Sequence, residues 1–227
     1  MSSSPIAIDV VLRTLRKRHA PPRTFLQFRT PLDLLVATIL SAQCTDARVN
    51  AVTKDILYPK YRTAQDYASV SARELEKDIH SCGTFRNKAK HIRQMCALLI
   101  KNHKGEVPQT MEALVRLPGV GRKTASVVLW AAFGKSEGIA VDTHVLRVSR
   151  RLGLSTGKTP EGIEKDLMRT TPRKNWGELT TLLISHGRAV CTARKRQCDA
   201  CPFKTSCLSS WVVGKKDRTR QDPRSGP

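Results

Sequence analysis

The chain has 227 residues, enough for one large or two small globular lobes, and 40% of them are hydrophobic, which argues against wholesale disorder. Lysine and arginine number 40 against 19 acidic residues, a formal net charge of +21, so a polyanionic partner is expected and nucleic acid is the first candidate. A membrane surface is the rival, but no apolar run approaches the roughly 20 residues of a spanning helix and no lipidation motif occurs.

The opening Met1-Ser-Ser-Ser-Pro5 lacks the apolar core of a signal peptide, so an intracellular protein is expected, cytoplasmic and at the nucleoid if bacterial. Ile6, Val10, Val11 and Leu15 share one helical face, and Pro21-Pro22 closes that first helix. Residues 32–40 and 124–133 are apolar nearly all round, as in central helices covered by others. Gly134 to Gly138 comes next as a loop, and Val145, Leu146, Val148, Ser149 and Leu152 mark a later helix less purely. No stretch alternates with period two, so an all-α fold is predicted. From about residue 212 the chain turns polar, with Lys215, Lys216, Arg218, Arg220 and Arg224 among Gly, Asp and Pro, and a disordered basic tail is expected.

Residues 111–130 read as helix, tight turn, helix, with Pro118-Gly-Val-Gly121 at the turn. Gly119 and Gly121 let the backbone take conformations closed to other residues and approach a ligand closely. At the start of the next helix unpaired N–H groups point outward with partial positive charge, a site suited to one phosphate. A plain αα-turn uses glycine too, so the glycines alone leave both readings open, and net charge favours DNA. Gly121-Arg-Lys-Thr124 resembles the tail of a nucleotide-binding P-loop, but that motif needs Gly directly before Lys, where Arg122 stands.

Lys123 falls in the first turn of that helix, where the dipole disfavours a cation and burial would make its amine a nucleophile. A solvated phosphate-contacting lysine is the plainer alternative. Asp142 is the candidate partner: the helix carries the chain roughly 17–18 Å away, and the segment from Gly134 to Asp142 spans about 30 Å if extended, so a return is feasible. Asp142 also precedes the helix over Thr143 to Leu152 and can serve as its N-cap. Cys191, Cys198, Cys201 and Cys207 crowd together among the seven cysteines. In a reducing compartment this points to metal rather than disulfides, with iron–sulfur and zinc both open on spacing. Cys44, Cys82 and Cys96 read as small core hydrophobes.

Leu117-Pro-Gly-Val-Gly-Arg-Lys-Thr-Ala125, Ile139-Ala-Val-Asp-Thr-His-Val-Leu-Arg147, Leu40-Ser-Ala-Gln-Cys-Thr-Asp46 and His186-Gly-Arg188 together resemble the endonuclease III family of DNA glycosylases, in register over residues 5 to 211. The resemblance implies a two-lobed helix-hairpin-helix glycosylase fold. Residues 24–135 would form a six-helix barrel lobe, 1–23 and 136–211 an iron–sulfur cluster lobe, and 212–227 the tail. It implies a monomeric bifunctional glycosylase and abasic-site lyase acting on duplex DNA that contains oxidised pyrimidines or abasic sites. Lys123 would attack the sugar C1′, Asp142 would assist, and the four cysteines would hold a [4Fe–4S] cluster.

Further DNA contacts are implied by the same likeness. Gly119, Val120, Gly121 and Arg122 would hold a phosphate, and Arg194, Lys195 and Arg196 would be presented toward the backbone by a cluster-braced loop. Gln43 matches a glutamine that enters the duplex. The second inserted position, usually leucine, falls at Thr84, a poor wedge, so Phe85 or Arg86 could serve instead. Ser126 and Trp130 stand where asparagine is frequent. His144 reads as a structural hydrogen-bonding residue. The competing reading is a non-catalytic DNA-binding or redox-sensing paralogue of the same fold.

Overall fold

The computed structural model describes residues 6–20 and 23–212. The Pro21-Pro22 breaker and the basic tail beyond Val212 lie outside the described residues. The chain is helical, as its periodicity predicts; among the described residues the β structure is a single isolated bridge between Cys191 and Arg196. No described helix is long and apolar enough to cross a membrane. The chain divides into two units: Arg23–Glu137, and Met1–Pro22 with Gly138–Pro227.

The first helix of the chain, α1 (Ile8–Arg18), belongs to the discontinuous unit; the contiguous unit begins with α2 (Pro31–Leu40). Thr30 accepts the Asp33 amide while the Asp33 carboxylate accepts the Thr30 amide, and Pro31 pre-sets the first turn, so α2 starts where its sequence requires. Every residue from Leu32 to Leu40 is buried, which explains the all-round apolar run. Leu34, Leu35 and Leu40 are fully enclosed. Truncating any of them to alanine is expected to cost about 2–5 kcal/mol.

After α2 the unit winds through α3 (Asp46–Val52), a π turn at Thr53–Leu57, α4 (Tyr58–Lys60), α5 (Ala64–Ser69) and α6 (Ala72–Asp78). A 3-10 turn at His80–Cys82 leads into the long α7 (Phe85–His103), then α8 (Met111–Val115) and α9 (Arg122–Phe133). α2 packs on α7 and α9, and α5 lies along α7, enclosing one core that runs from Leu26 to Ala131.

The discontinuous unit pairs α1 with α10 (Thr143–Leu152), α11 (Pro160–Thr170) and α12 (Trp176–Ala189). Val145, Val148, Ser149 and Leu152 of α10 are buried as their spacing predicts. On α1 the expected face is rotated. Val11, Leu12 and Leu15 are buried, whereas Val10 is 37% exposed and Ile6 precedes the helix. A stripe at 11, 12 and 15 satisfies the helical period as well as one that includes Val10, and Leu12 buries the larger side chain. Arg16 then reaches α12, its Nε and Nη2 donating to the two oxygens of Glu178 at 2.8 and 2.6 Å.

Candidate functional site

The hairpin turn joins α8 to α9. The Leu117 amide donates to Leu114 O and the Val120 amide to Leu117 O, folding the chain tightly while Val120 plugs into the core at 5% exposure. Gly119 has φ +77° and a Cβ there would stand 3.0 Å from His91 Cβ, so both its conformation and its space demand glycine. Gly121 departs from the expectation: its φ is −91° with ψ 176°, open to any residue, and nothing lies within 4 Å of a Cβ built on it. Its use is as a bare N-cap to α9, leaving the exposed turn free of side-chain bulk.

Lys123 is the second residue of α9 and is exposed, so the enclosure expected of a nucleophilic amine is absent from the DNA-free chain. Arg122 beside it is exposed as well. One and two turns along lie Ser126 and Trp130, whose Oγ and Nε1 are buried without a hydrogen-bond partner. The Arg23 guanidinium lies 5.2 Å from the Trp130 ring centroid.

Gln43 and Thr84 share an unusual backbone. Both are exposed, and both are non-glycine residues in left-handed conformations, φ 54° at Gln43 and φ 41° at Thr84. For a β-branched residue this is a strained state of the kind that gathers at functional sites. Gln43 is therefore not a core amide. Phe85 is less available than Thr84: it packs on the core and lies 4.6 Å from the His80 ring, with the exposed Arg86 guanidinium 5.4 Å from its own centroid.

Lys88 is a residue that the sequence does not single out. It is 4% exposed, and its ammonium donates to Leu40 O at 2.8 Å and Cys82 O at 2.5 Å. The signal that could have found it is positional, because Lys88 shares the buried stripe of α7 with Ala89, Ile92 and Met95, where a cation has to be hydrogen-bonded. Burial lowers its amine pKa, and the neighbouring Cys44 and Cys82 act in the opposite sense. Burial likewise pushes the Cys82 thiol up to about 11, with Cys44 adding to the shift. Cys82 and Cys96 are core residues, as expected, and Cys44 is half-buried against that core.

In the other unit, Asp142 is the N-cap of α10. Its Oδ1 accepts the amides of His144 and Val145, each at 2.8 Å, which leaves Oδ2 outside the cap. His144 Nδ1 lies 3.0 Å from Arg147 Nη2, whose guanidinium also donates to Gly187 O and Cys191 O. With arginine as the donor, Nδ1 must be the unprotonated nitrogen. Burial first, and then Arg147 and Arg188, lower the His144 pKa, with Asp142 opposing. A Cβ on Gly187 would fall 3.1 Å from His144 and 3.2 Å from Arg147, which accounts for the glycine in His186-Gly-Arg188.

Cys191, Cys198, Cys201 and Cys207 line one small pocket together with Arg151 and His186. Among the described residues no three His, Cys, Asp or Glu side chains form a group that could hold a metal ion. Arg151 Nη1 lies 3.4 Å from Cys191 Sγ, and His186 Nε2 lies 3.6 Å from Cys201 Sγ. His186 is fully buried, and its pKa falls to about 4, chiefly through burial and then through His19 and Arg18. A neutral imidazole and a guanidinium therefore adjoin sulfur, while burial pushes the Cys201 and Cys207 thiols up and the Cys207 thiol donates to Arg151 O at 3.1 Å.

Between the first two cysteines, Arg194 and Lys195 are exposed at the tip of a turn that Thr192 closes by accepting the Lys195 amide. Arg196 differs from its neighbours. It donates to Ser209 O at 2.7 Å and lies 5.7 Å from the Trp211 ring, bracing the cysteine loop from inside.

Residues 36–173 match the model of the HhH-GPD superfamily base excision DNA repair protein. The chain is 48% identical over 210 residues to endonuclease III of Synechocystis, covering 92% of this chain and 95% of that one. It is 49% identical over 187 residues to endonuclease III of Bacillus subtilis, covering 82% and 84%. Among solved structures it superposes with TM-score 0.85 and 46% identity on a trapped endonuclease III–DNA covalent intermediate, an estranged-adenine complex, covering 93% of this chain and 97% of that one.

Proposed function

The chain belongs to the HhH-GPD superfamily of base excision DNA repair proteins and, within it, to the endonuclease III family, and from that premise we propose a bifunctional DNA glycosylase and abasic-site lyase that acts on oxidised pyrimidines in duplex DNA. The observation that carries the reading is Lys123, an exposed lysine at the head of α9 directly after the glycine turn. The similar chain trapped as a covalent intermediate with DNA needs such a nucleophile.

The hairpin amides around Gly119 and Gly121 and the Arg122 side chain hold a backbone phosphate. The damaged nucleotide leaves the stack, which costs least where pairing is already weakened, while Gln43 meets the orphaned base and Thr84 fills the opposite strand position. Lys123 serves as the nucleophile in its deprotonated form. Its neutral amine attacks C1′ as the N-glycosidic bond breaks. The base departs with the bonding electron pair and takes up a proton. Asp142, with Oδ2 outside its cap, stabilises the positive charge developing on the sugar. The nitrogen loses a proton, the C1′–O4′ bond breaks with its electron pair going to the ring oxygen, which is protonated, and an iminium between Lys123 and C1′ results; a C2′ proton is then removed and the 3′ phosphate leaves with the C3′–O bonding pair by β-elimination. Water then returns the amine.

In this reading the Arg23–Glu137 unit is the helical barrel lobe and the discontinuous unit is the cluster lobe of a monomer acting where the cell keeps its DNA. The four cysteines would hold a [4Fe–4S] cluster. When bound, that cluster supplies a rigid metal–thiolate brace and a redox-capable centre. The cysteine loop presents Arg194 and Lys195 to phosphates.

Borohydride reduction on an abasic-site duplex tests the assignment. The wild-type chain should give a covalent protein–DNA adduct and Lys123→Gln none. A folded wild-type chain that traps no DNA would exclude the enzyme reading.

A further inference from the structure

Lys88 carries a cost that the core of its unit does not require. It is a cation at the start of α7, where the helix dipole is positive, and it is 4% exposed with thiols rather than carboxylates as its electrostatic neighbours. Its two acceptors show what it connects. Leu40 O is the last carbonyl of α2, one of the groups a helix end leaves unpaired, and Cys82 O closes the 3-10 turn before α7. Each acceptor stands next to a strained segment, because Gln43 comes after Leu40 and Thr84 after Cys82 within a few residues, and both take left-handed backbones. One ammonium thus ties the roots of the two segments whose tips the functional reading sends into DNA.

We propose that Lys88 is a positioning residue that locks these two segments to each other, so that Gln43 and Thr84 enter the duplex as one rigid unit. The inference rests on the reading that those tips enter the duplex. A methionine in its place fills similar volume but ties neither carbonyl, and each strained tip then relaxes separately. Lys88 touches no reacting atom, so its loss slows extrusion of the base and spares the Schiff-base chemistry that comes after it.

The test compares two substrates and tracks base extrusion directly. With Lys88→Met, single-turnover base release from a duplex holding an oxidised pyrimidine should fall at least tenfold. The fluorescence rise of 2-aminopurine beside the lesion should fall in parallel. Cleavage of a preformed abasic site in single-stranded DNA, where nothing has to be unstacked, should stay within about twofold and reports that the chain is folded. Lys88→Gln, which keeps a neutral N–H donor group on a shorter side chain, should give an intermediate loss and carries the same comparison if the methionine variant does not fold. Equal losses on both substrates, or no loss on the duplex, would overturn the proposal. Gln43→Ala and Thr84→Ala separate the two levels: if they impair extrusion and Lys88→Met does not, only the tie is wrong. If they too leave extrusion unchanged, the insertion reading fails and the proposal with it.

Discussion

The Asp142 carboxylate accepts the Val145 amide at 2.8 Å, and the same oxygen also takes His144. Cap and charge are therefore separable. Asp142→Asn keeps a good cap and should unfold in urea within about 0.5 kcal/mol of wild type, while its single-turnover base release falls about a hundredfold or more. Asp142→Ala should lose the activity and about 1 kcal/mol of stability. An asparagine variant with full activity would remove the carboxylate from the mechanism.

The two hairpin glycines should behave differently. Gly119→Ala meets a φ of +77° and His91 Cβ at 3.0 Å, and a loss of about 1–3 kcal/mol is expected. Gly121→Ala has an ordinary backbone and open space, so its stability should change by less than about 1 kcal/mol. Its new methyl group should show instead as weaker duplex binding. Matched denaturation curves for the two variants would contradict this assignment.

Salt titration of duplex affinity distinguishes the cations of the cysteine loop. Removing the exposed Arg194 or Lys195 should lower the slope of log K against log salt by about 1 each. Arg196→Ala should leave the slope nearly unchanged and weaken the fold of the loop, since its guanidinium is engaged with Ser209 and Trp211. A slope that falls equally for all three would place Arg196 on the DNA.

Glu178 gives a pH signature. Arg16 holds its carboxyl below the usual glutamate range. A carboxyl whose folded value is depressed adds stability that is complete above its unfolded pKa and lost as pH falls through the folded value. Both side chains are partly exposed, 46% and 32%, so solvent screening limits the pair to about 0.5 kcal/mol. Glu178→Gln should be less stable than wild type by about that amount at neutral pH. The two should converge in acid below the carboxylate range, and a gap that persists there would assign the effect to packing.

Metal analysis of the purified chain should find iron rather than zinc, with a broad visible absorbance band. Cys198→Ser should reduce both. Zinc alone would overturn the cluster.

Much of this was legible because some residues carry meaning independent of their surroundings. The unbroken apolar run of α2 could only be enclosed, the glycine turn before a lysine-bearing helix marked the hairpin, and the spacing of Cys191 to Cys207 brought four thiols around one small pocket. What escaped depends on partners distant in sequence. Val10 and Leu12 flank the Val11–Leu15 stripe of α1 on opposite sides, and packing on α12 decides which of them is covered. Arg196 is as basic as Arg194, and only the Ser209 carbonyl and Trp211 turn it inward. Lys88 reads as one more surface cation until two carbonyls, from segments before α3 and before α7, are found at its tip.

The discontinuity of the Met1–Pro22 and Gly138–Pro227 unit sets an order of events during synthesis. The contiguous Arg23–Glu137 unit can close its core while the ribosome is still translating the C-terminal part of the chain, since domains generally fold as units and the N-terminal one first. α1 emerges earlier still, yet its partner α12 and the Glu178 carboxylate that pairs with Arg16 come last. The newborn N-terminal segment must therefore wait, its Val11, Leu12 and Leu15 uncovered, until nearly the whole chain has been made. Assembly of the thiols at Cys191 to Cys207 falls in the same closing interval, so loading of any metal there coincides with the completion of the fold.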